Sequence, residues 1–363
     1  MKSCGLIPIA AKEFTDHLCS KNFLLIAGIL VLICTVGLIG GLSDYREDLD
    51  EYNERLSVAG SEEGPGFMSE RPSILSIFVS IGAQMSVLGA ILGIALGFDL
   101  ITKEKESKSL KQLLSHPIYR DEVINGKALG SAAALLLPLG AVLAVAFAAL
   151  LIFGIVPDPT EFSLILVFGA VTALMILTYF SVALLMSTVA KNSGTALIYS
   201  LIVFVAFTML VPVATNDAVM ETVIGEPPEL PTSAYLPDIQ STGDEKMEVA
   251  VRAIDTESAE WQQFREARRE YEERRGAVND LLSLLSPSLN YEAILGIFGR
   301  VSASMTVTTV MQNGGGSVLI GDAGSVDPAS GVAGVGMNVL ALIAFPAVFF
   351  GLAYSRFMRL DIR

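Results

Sequence analysis

Six long stretches of the chain contain no Asp, Glu, Lys or Arg: residues 22–43, 72–98, 128–157, 162–190, 192–216 and 328–355. Each reaches the roughly 20 residues that a helix needs to cross about 30 Å of hydrocarbon. Lipid offers no hydrogen-bond partner to a bare backbone, so these stretches are predicted as helices. The pattern predicts an all-α polytopic membrane protein with six transmembrane helices. Six crossings put both termini on one side.

The polar segments between the spans decide which side that is. With the termini inside, the inner segments hold 13 basic and 8 acidic residues, and the outer segments 11 basic and 30 acidic. Nine of the ten lysines fall inside. This distribution follows the positive-inside rule and predicts cytoplasmic N- and C-termini in a cell membrane, the inner or cytoplasmic membrane of a prokaryote. The formal net charge of −14 therefore describes the outer surface. So acidic a face argues against nucleic acid as a partner, because phosphate binding needs clustered Lys and Arg. Composition agrees with the membrane reading: hydrophobic residues make up 52%, charged residues 17%, and mean hydropathy is +0.58.

Three domains are expected. Residues 1–215 hold transmembrane helices 1–5, an inner hairpin at 99–127 and an outer loop at 44–71. Residues 216–334 form a large extracytoplasmic insertion between helices 5 and 6. Residues 335–363 hold helix 6 and a cytoplasmic tail. Before the first span, Ile9, Phe14 and Leu18 alternate with Lys12, Glu13, Asp16 and Lys21, the pattern of an amphipathic interfacial helix. The outer loop opens as a charged helical run and closes in a turn at 61–66. In the insertion, residues 225–237 are Pro-rich, and residues 244–275 read as a surface helix with Glu270–Arg274 and Glu266–Arg269 at helical spacing. Residues 281–299 are apolar but interrupted by Pro287. They either lie at the outer interface or dip between the spans. Residues 301–327 read as strand and loop.

Candidate chemistry is sparse. Three cysteines, at 4, 19 and 34, precede or lie within the first span and form no disulfide or metal-ligand spacing. The two histidines, His17 and His116, lack nucleophilic or metal-binding companions, so neither catalytic nor metal residues are expected. In the second span, Ser76, Ser80 and Gln84 recur at helical spacing. They either contact a translocated substrate or serve helix packing beside Gly82, Gly89, Gly93 and Gly97.

The inner hairpin is the most informative segment. Its first half, 99–114, is predicted as a helix carrying Glu104, Lys105, Glu106, Lys108 and Lys111 beside Leu110, Leu113 and Leu114. Pro117 breaks it, and a second turn begins at Arg120. A mixed-charge, apolar-edged helix at the end of a span suits docking into a groove of another protein. Asp99, Glu104, Glu106, Ser107, Leu110, Leu113, Leu114, Ser115, Pro117, Arg120, Gly126 and Lys127 together resemble the cytoplasmic motif of type-2 ATP-binding-cassette (ABC) exporter permeases. The resemblance extends to Lys12–Phe14, to the turn around Lys191 and to the run Ser286–Tyr291. The one departure is Lys108–Ser109, where the family usually has Gly-Thr.

This resemblance implies the permease subunit of an exporter, with Asp99, Glu104, Glu106, Leu110, Leu113, Pro117, Arg120 and Lys127 coupling it to a cytoplasmic ABC ATPase. It also implies a second permease copy, the same chain or a related one. The chain has no Gly-x4-Gly-Lys-Ser/Thr phosphate loop, so ATP-Mg belongs to the partner ATPase, and no cofactor is expected here. The alternative reading is a non-transporting membrane scaffold or sensor whose outer domain binds a partner.

Overall fold

The computed structural model describes residues 5–59, 72–108, 119–229, 259–302 and 328–360. Among these all regular secondary structure is helical, and there is no strand. The expected turn at 61–66, Leu110, Leu113 and Pro117, most of the Pro-rich run, residues 244–258 and the strand-and-loop expectation for 303–327 lie outside the described residues.

The chain divides into two compact units, one from residues 1–208 and 286–363 and the other from 209–285. The first unit opens with α1 (Leu6–Leu18) and α2 (Lys21–Ala59). After α3 (Leu75–Gly97) comes the short α4 (Thr102–Glu106), followed by α5 (Arg120–Ile152), α6 (Pro159–Val189) and α7 (Ser193–Val205). Among the described residues six helical segments are long and apolar enough to cross a membrane. They coincide with the six uncharged stretches.

Glycine decides how closely the central spans approach. A Cβ on Gly93 would stand 2.6 Å from the Ile176 carbonyl oxygen, and one on Gly97 2.7 Å from that of Phe180. Gly89 meets the Ile176 side chain in the same way. Three glycines one turn apart thus form a seam along which α3 lies backbone to backbone on α6, in the manner of small-residue interfaces between membrane helices. Phe78, Phe168 and Met85 fill the core beside this seam. Large exposed side chains such as Leu32, Leu136, Ile202 and Leu340 face outward, as lipid-facing positions do.

Local signals account for the helix boundaries. Pro159 occupies the first turn of α6, where its missing N–H costs nothing, and Glu161 accepts from the Asp158 backbone N–H at 2.9 Å. Asn192 caps α7 by accepting from Thr195 N–H at 2.8 Å. The helix predicted over 99–114 is interrupted instead. α4 ends at Glu106, and Lys108 adopts φ 57°, the left-handed conformation that closes many helices and favours glycine. This is the position at which the sequence departs from the family's usual Gly.

α2 continues without a break from its apolar part into the charged run after Asp44, with Tyr45 buried and Arg46 stacked 4.2 Å over the Phe153 ring. α1 does not rest on lipid alone. A Cβ on Gly130 would run into the Ala10 carbonyl and one on Gly126 would meet Ile9 at 2.9 Å, so α1 lies directly on α5. Ile9, Phe14 and Leu18 pack against the core.

Past Val205, a π-helical turn (Ala206–Leu210) leads to α8 (Val211–Ala214), α9 (Asp217–Ile224) and α10 (Ala259–Leu284). In the second unit Arg275 pairs with Asp217, joining α10 to α9. Along α10, Arg274 pairs with Glu270 at 2.5 Å as expected from spacing, whereas Arg269 pairs with Glu273 rather than Glu266. Trp261 stands edge-on to Phe264.

The first unit resumes with α11 (Pro287–Ser302) and ends with α12 (Pro328–Met358). Tyr291, Ile294, Leu295 and Phe298 of α11 are buried among the spans. The apolar run 281–299 therefore does not form one surface element. Its greater part is a helix packed against α3, α6 and α12.

Candidate functional site

Helix ends present unpaired backbone groups that something must satisfy. At the hairpin end of the bundle, the charged residues of 99–127 fulfil that need for their neighbours. Lys105 Nζ donates to the carbonyls of Ser187 (3.1 Å), Thr188 (2.7 Å) and Ala190 (3.2 Å), neutralising the negative end of α6. Glu106 accepts from Ser193 N–H at 2.9 Å and from its hydroxyl at 3.0 Å, at the positive end of α7. The Ser187 hydroxyl in turn accepts from the N–H groups of Ile101 and Thr102. Arg120 Nη1 donates to Leu360 O at 2.9 Å, just beyond α12.

α1 is joined to the same cluster by a buried ion triad. Lys127 Nζ lies 2.8 Å from Glu13 Oε2 and 3.0 Å from Glu104 Oε1, with the lysine side chain 6% exposed. Glu104 Oε2 is buried without a hydrogen-bond partner among the described residues. Next to the triad, His17 Nε2 is 2.9 Å from Ser131 Oγ, and burial holds the imidazole below its ordinary value against the opposing pull of Glu13 and Asp99. Asp99 is half-buried, with Lys103, His17 and Glu13 as its charged neighbours.

Of the sequence-derived coupling candidates, Asp99, Glu104, Glu106, Arg120 and Lys127 thus gather at one end of the bundle. Lys127 with Glu104 ties α1 to the hairpin, Glu106 ties α7 and Arg120 ties the end of α12. Leu110, Leu113 and Pro117 lie outside the described residues. The enclosed Lys127 ammonium is turned to its two carboxylates. Tyr119 at the base of α5 is by contrast 69% exposed. Glu13, Lys105 and Ser193 fall outside the sequence-derived candidates. Their sequence signals are the Lys12–Phe14 motif, three consecutive charges, Glu104 to Glu106, that a helix points in three directions, and the turn around Lys191.

The second group of candidates lies along α3. Ser80 and Gln84 face α2 where Gly41 and Gly37 leave room: a Cβ there would meet Ser80 Cβ at 3.3 Å and Gln84 Cγ at 3.2 Å. Ser76 donates to the Ser73 carbonyl at 3.0 Å. All three have places in helix packing or local bonding, and Gln84 is exposed besides.

A polar network that the spacing of single residues does not reveal runs from α11 into the spans. Ser288 Oγ is 2.6 Å from Tyr179 Oη, Tyr291 Oη 2.9 Å from Thr172 Oγ1, and Asn338 donates to Asn290 at 3.0 Å. Ser286 Oγ donates to Phe207 O at 2.8 Å, at the π-helical turn where the regular backbone ladder is interrupted. Ser286, Ser288, Asn290 and Tyr291 are all buried. Polar groups this far from water are retained when paired, and here they fix α11 in one register.

Among the described residues no group of three His, Cys, Asp or Glu converges as a metal site would. Comparison with curated proteins finds no match. A family model described as ABC-2 family transporter protein matches residues 7–362, from the start of α1 to the last residues of the chain. Six apolar spans, a fastened polar hairpin and this near-complete match place the chain in the ABC-2 family of transporter membrane proteins.

Proposed function

We propose that the chain is the permease subunit of an ABC exporter, working with a separate ATPase that binds ATP-Mg and with a second permease copy. In this reading the hairpin end faces the cytoplasm of a prokaryotic cell, and the ATPase docks there. Family membership supports an ABC ATPase partner in general. The observation that carries the specific reading is the way Lys105, Glu106 and Arg120 hold the ends of three helices at once. A displacement applied to the hairpin is passed to α6, α7 and α12 together, and through Lys127 to α1. Charge-assisted hydrogen bonds to helix ends are suited to this because they are short and directional.

The test is affinity purification of the tagged full chain from its native membrane in mild detergent. A Walker-motif ATPase is expected to accompany it, and to be lost from the double variant Glu104→Ala, Arg120→Ala while the variant still inserts. Recovery without any ATPase, under conditions where a known permease retains its own, would overturn the reading.

A further inference from the structure

α11 carries one acidic residue, Glu292, and its position is unusual for a carboxylate. Ser86 of α3 lies beside it. Ser86 stands at the midpoint of α3, eleven residues from Leu75 and eleven from Gly97, or about 16 Å from either end at 1.5 Å per residue. The neighbouring Tyr291 bonds Thr172, which is about 20 Å from one end of α6 and about 25 Å from the other. The Tyr291–Thr172 hydrogen bond therefore puts Glu292 near the middle of the spans, with Ser86 beside it. Tyr291, Ile294 and Leu295 on the same helix are buried, whereas Glu292 is exposed.

An ionised carboxylate at mid-membrane depth is costly unless it faces a cation or a wet cavity. The six uncharged stretches contain no Lys or Arg, so a second copy of this chain brings no basic residue to that depth on its spans. The basic residue of α11 itself, Arg300, is eight positions and about 12 Å further along. A bare metal ion would need more oxygen ligands than one carboxylate and one hydroxyl. Around Ser86 the exposed surface of α3 is mainly apolar, with Val87 and Ile91, and its polar member is the Gln84 amide. A charge in an apolar setting selects a ligand with the complementary charge and a greasy body.

We propose that Glu292 is the charge-selecting residue of the translocation site and that the site takes lipophilic organic cations. The proposal deepens the permease reading and rests on it. The full chain in lipid nanodiscs is tested with radiolabelled tetraphenylphosphonium, counting only binding displaced by excess unlabelled cation. Saturable binding is expected, weakened about tenfold or more in Glu292→Gln and retained in Glu292→Asp. Ser86→Ala, which leaves the charge in place, is expected to weaken it less. Tetraphenylborate, of similar shape and opposite charge, is expected not to compete.

Absence of saturable binding to the wild type, equal binding by Glu292→Gln, or equal competition by tetraphenylborate would overturn the proposal. If Glu292→Gln fails to give a monodisperse protein, equal binding by Ser86→Ala and wild type would overturn it. ATPase co-purification is scored on the same preparations. Its presence with no Glu292-dependent binding defeats this site alone, whereas its absence defeats the permease reading.

Discussion

Glu106 holds Ser193 by two atoms at once, the backbone N–H at 2.9 Å and the hydroxyl at 3.0 Å, across 87 positions of sequence. The carboxylate of one short polar segment thereby serves as a cap for a helix that begins elsewhere. Removing it in Glu106→Ala is expected to cost about 1 kcal/mol, the usual value of a lost N-terminal cap, while Glu106→Gln retains the geometry and part of the stability. Thermal unfolding in detergent, compared across the three proteins, checks the order.

Lys127 is the keystone of a different kind of contact, a buried cation between Glu13 and Glu104. Lys127→Ala leaves two carboxylates facing each other and is expected to destabilise the unit by about 3–5 kcal/mol. The triple variant Lys127→Met, Glu13→Gln, Glu104→Gln removes the charges together and is expected to recover most of that loss. If the triple variant is no more stable than Lys127→Ala, the triad is not what holds α1 to the hairpin.

Lys108 pays for its left-handed backbone, φ 57°, with a steric cost that glycine lacks. Lys108→Gly is expected to stabilise the close of α4, by up to about 1 kcal/mol, since the flexibility that glycine adds to the unfolded chain offsets part of the gain. Slower amide exchange at Ser107 and Lys108 is the local signature.

The seam between α3 and α6 tolerates no added carbon. Gly93→Ala places a methyl group 2.6 Å from a backbone oxygen, which a side-chain rearrangement cannot relieve. The expected cost is about 1–3 kcal/mol, whereas Gly28→Ala, where nothing lies within 4 Å, is expected to be near neutral. Paired melting curves of the two variants test this contrast.

His17 gives the docking of α1 a pH dependence. Burial depresses its folded-state value below the ordinary 6.5. Above 6.5 the ring is neutral whether folded or unfolded and its full contribution is present. As pH falls below 6.5, the unfolded chain takes up a proton that the folded one resists, and stability is lost. The melting midpoint is expected to drop between pH 7.5 and 5.5, and to drop less in His17→Gln.

The spans were legible because uncharged stretches of this length have one economical structure in lipid. The hairpin was legible as a feature, through its alternating Glu and Lys, but the partners of those charges were not. Lys105 reaches carbonyls more than 80 positions away, and backbone acceptors leave no trace in side-chain identity. Glu292 escaped for a related reason. Pro287 and the Ser-Asn-Tyr run make 281–299 too broken to read as a span, so its one carboxylate does not stand out as an intramembrane charge. The helix end at Lys108 was missed because the run continues in good helix formers, and only the backbone geometry shows the stop.

The central claim is that the hairpin end receives an ATPase, and a photo-crosslinking amino acid at position 119 tests it most directly. Tyr119 is 69% exposed at the base of α5, while Val156, 75% exposed just past the opposite end of that helix, serves as control. The account predicts an adduct with a Walker-motif ATPase from position 119 and none from position 156. An ATPase that co-purifies yet links only from position 156, or from neither, would contradict it.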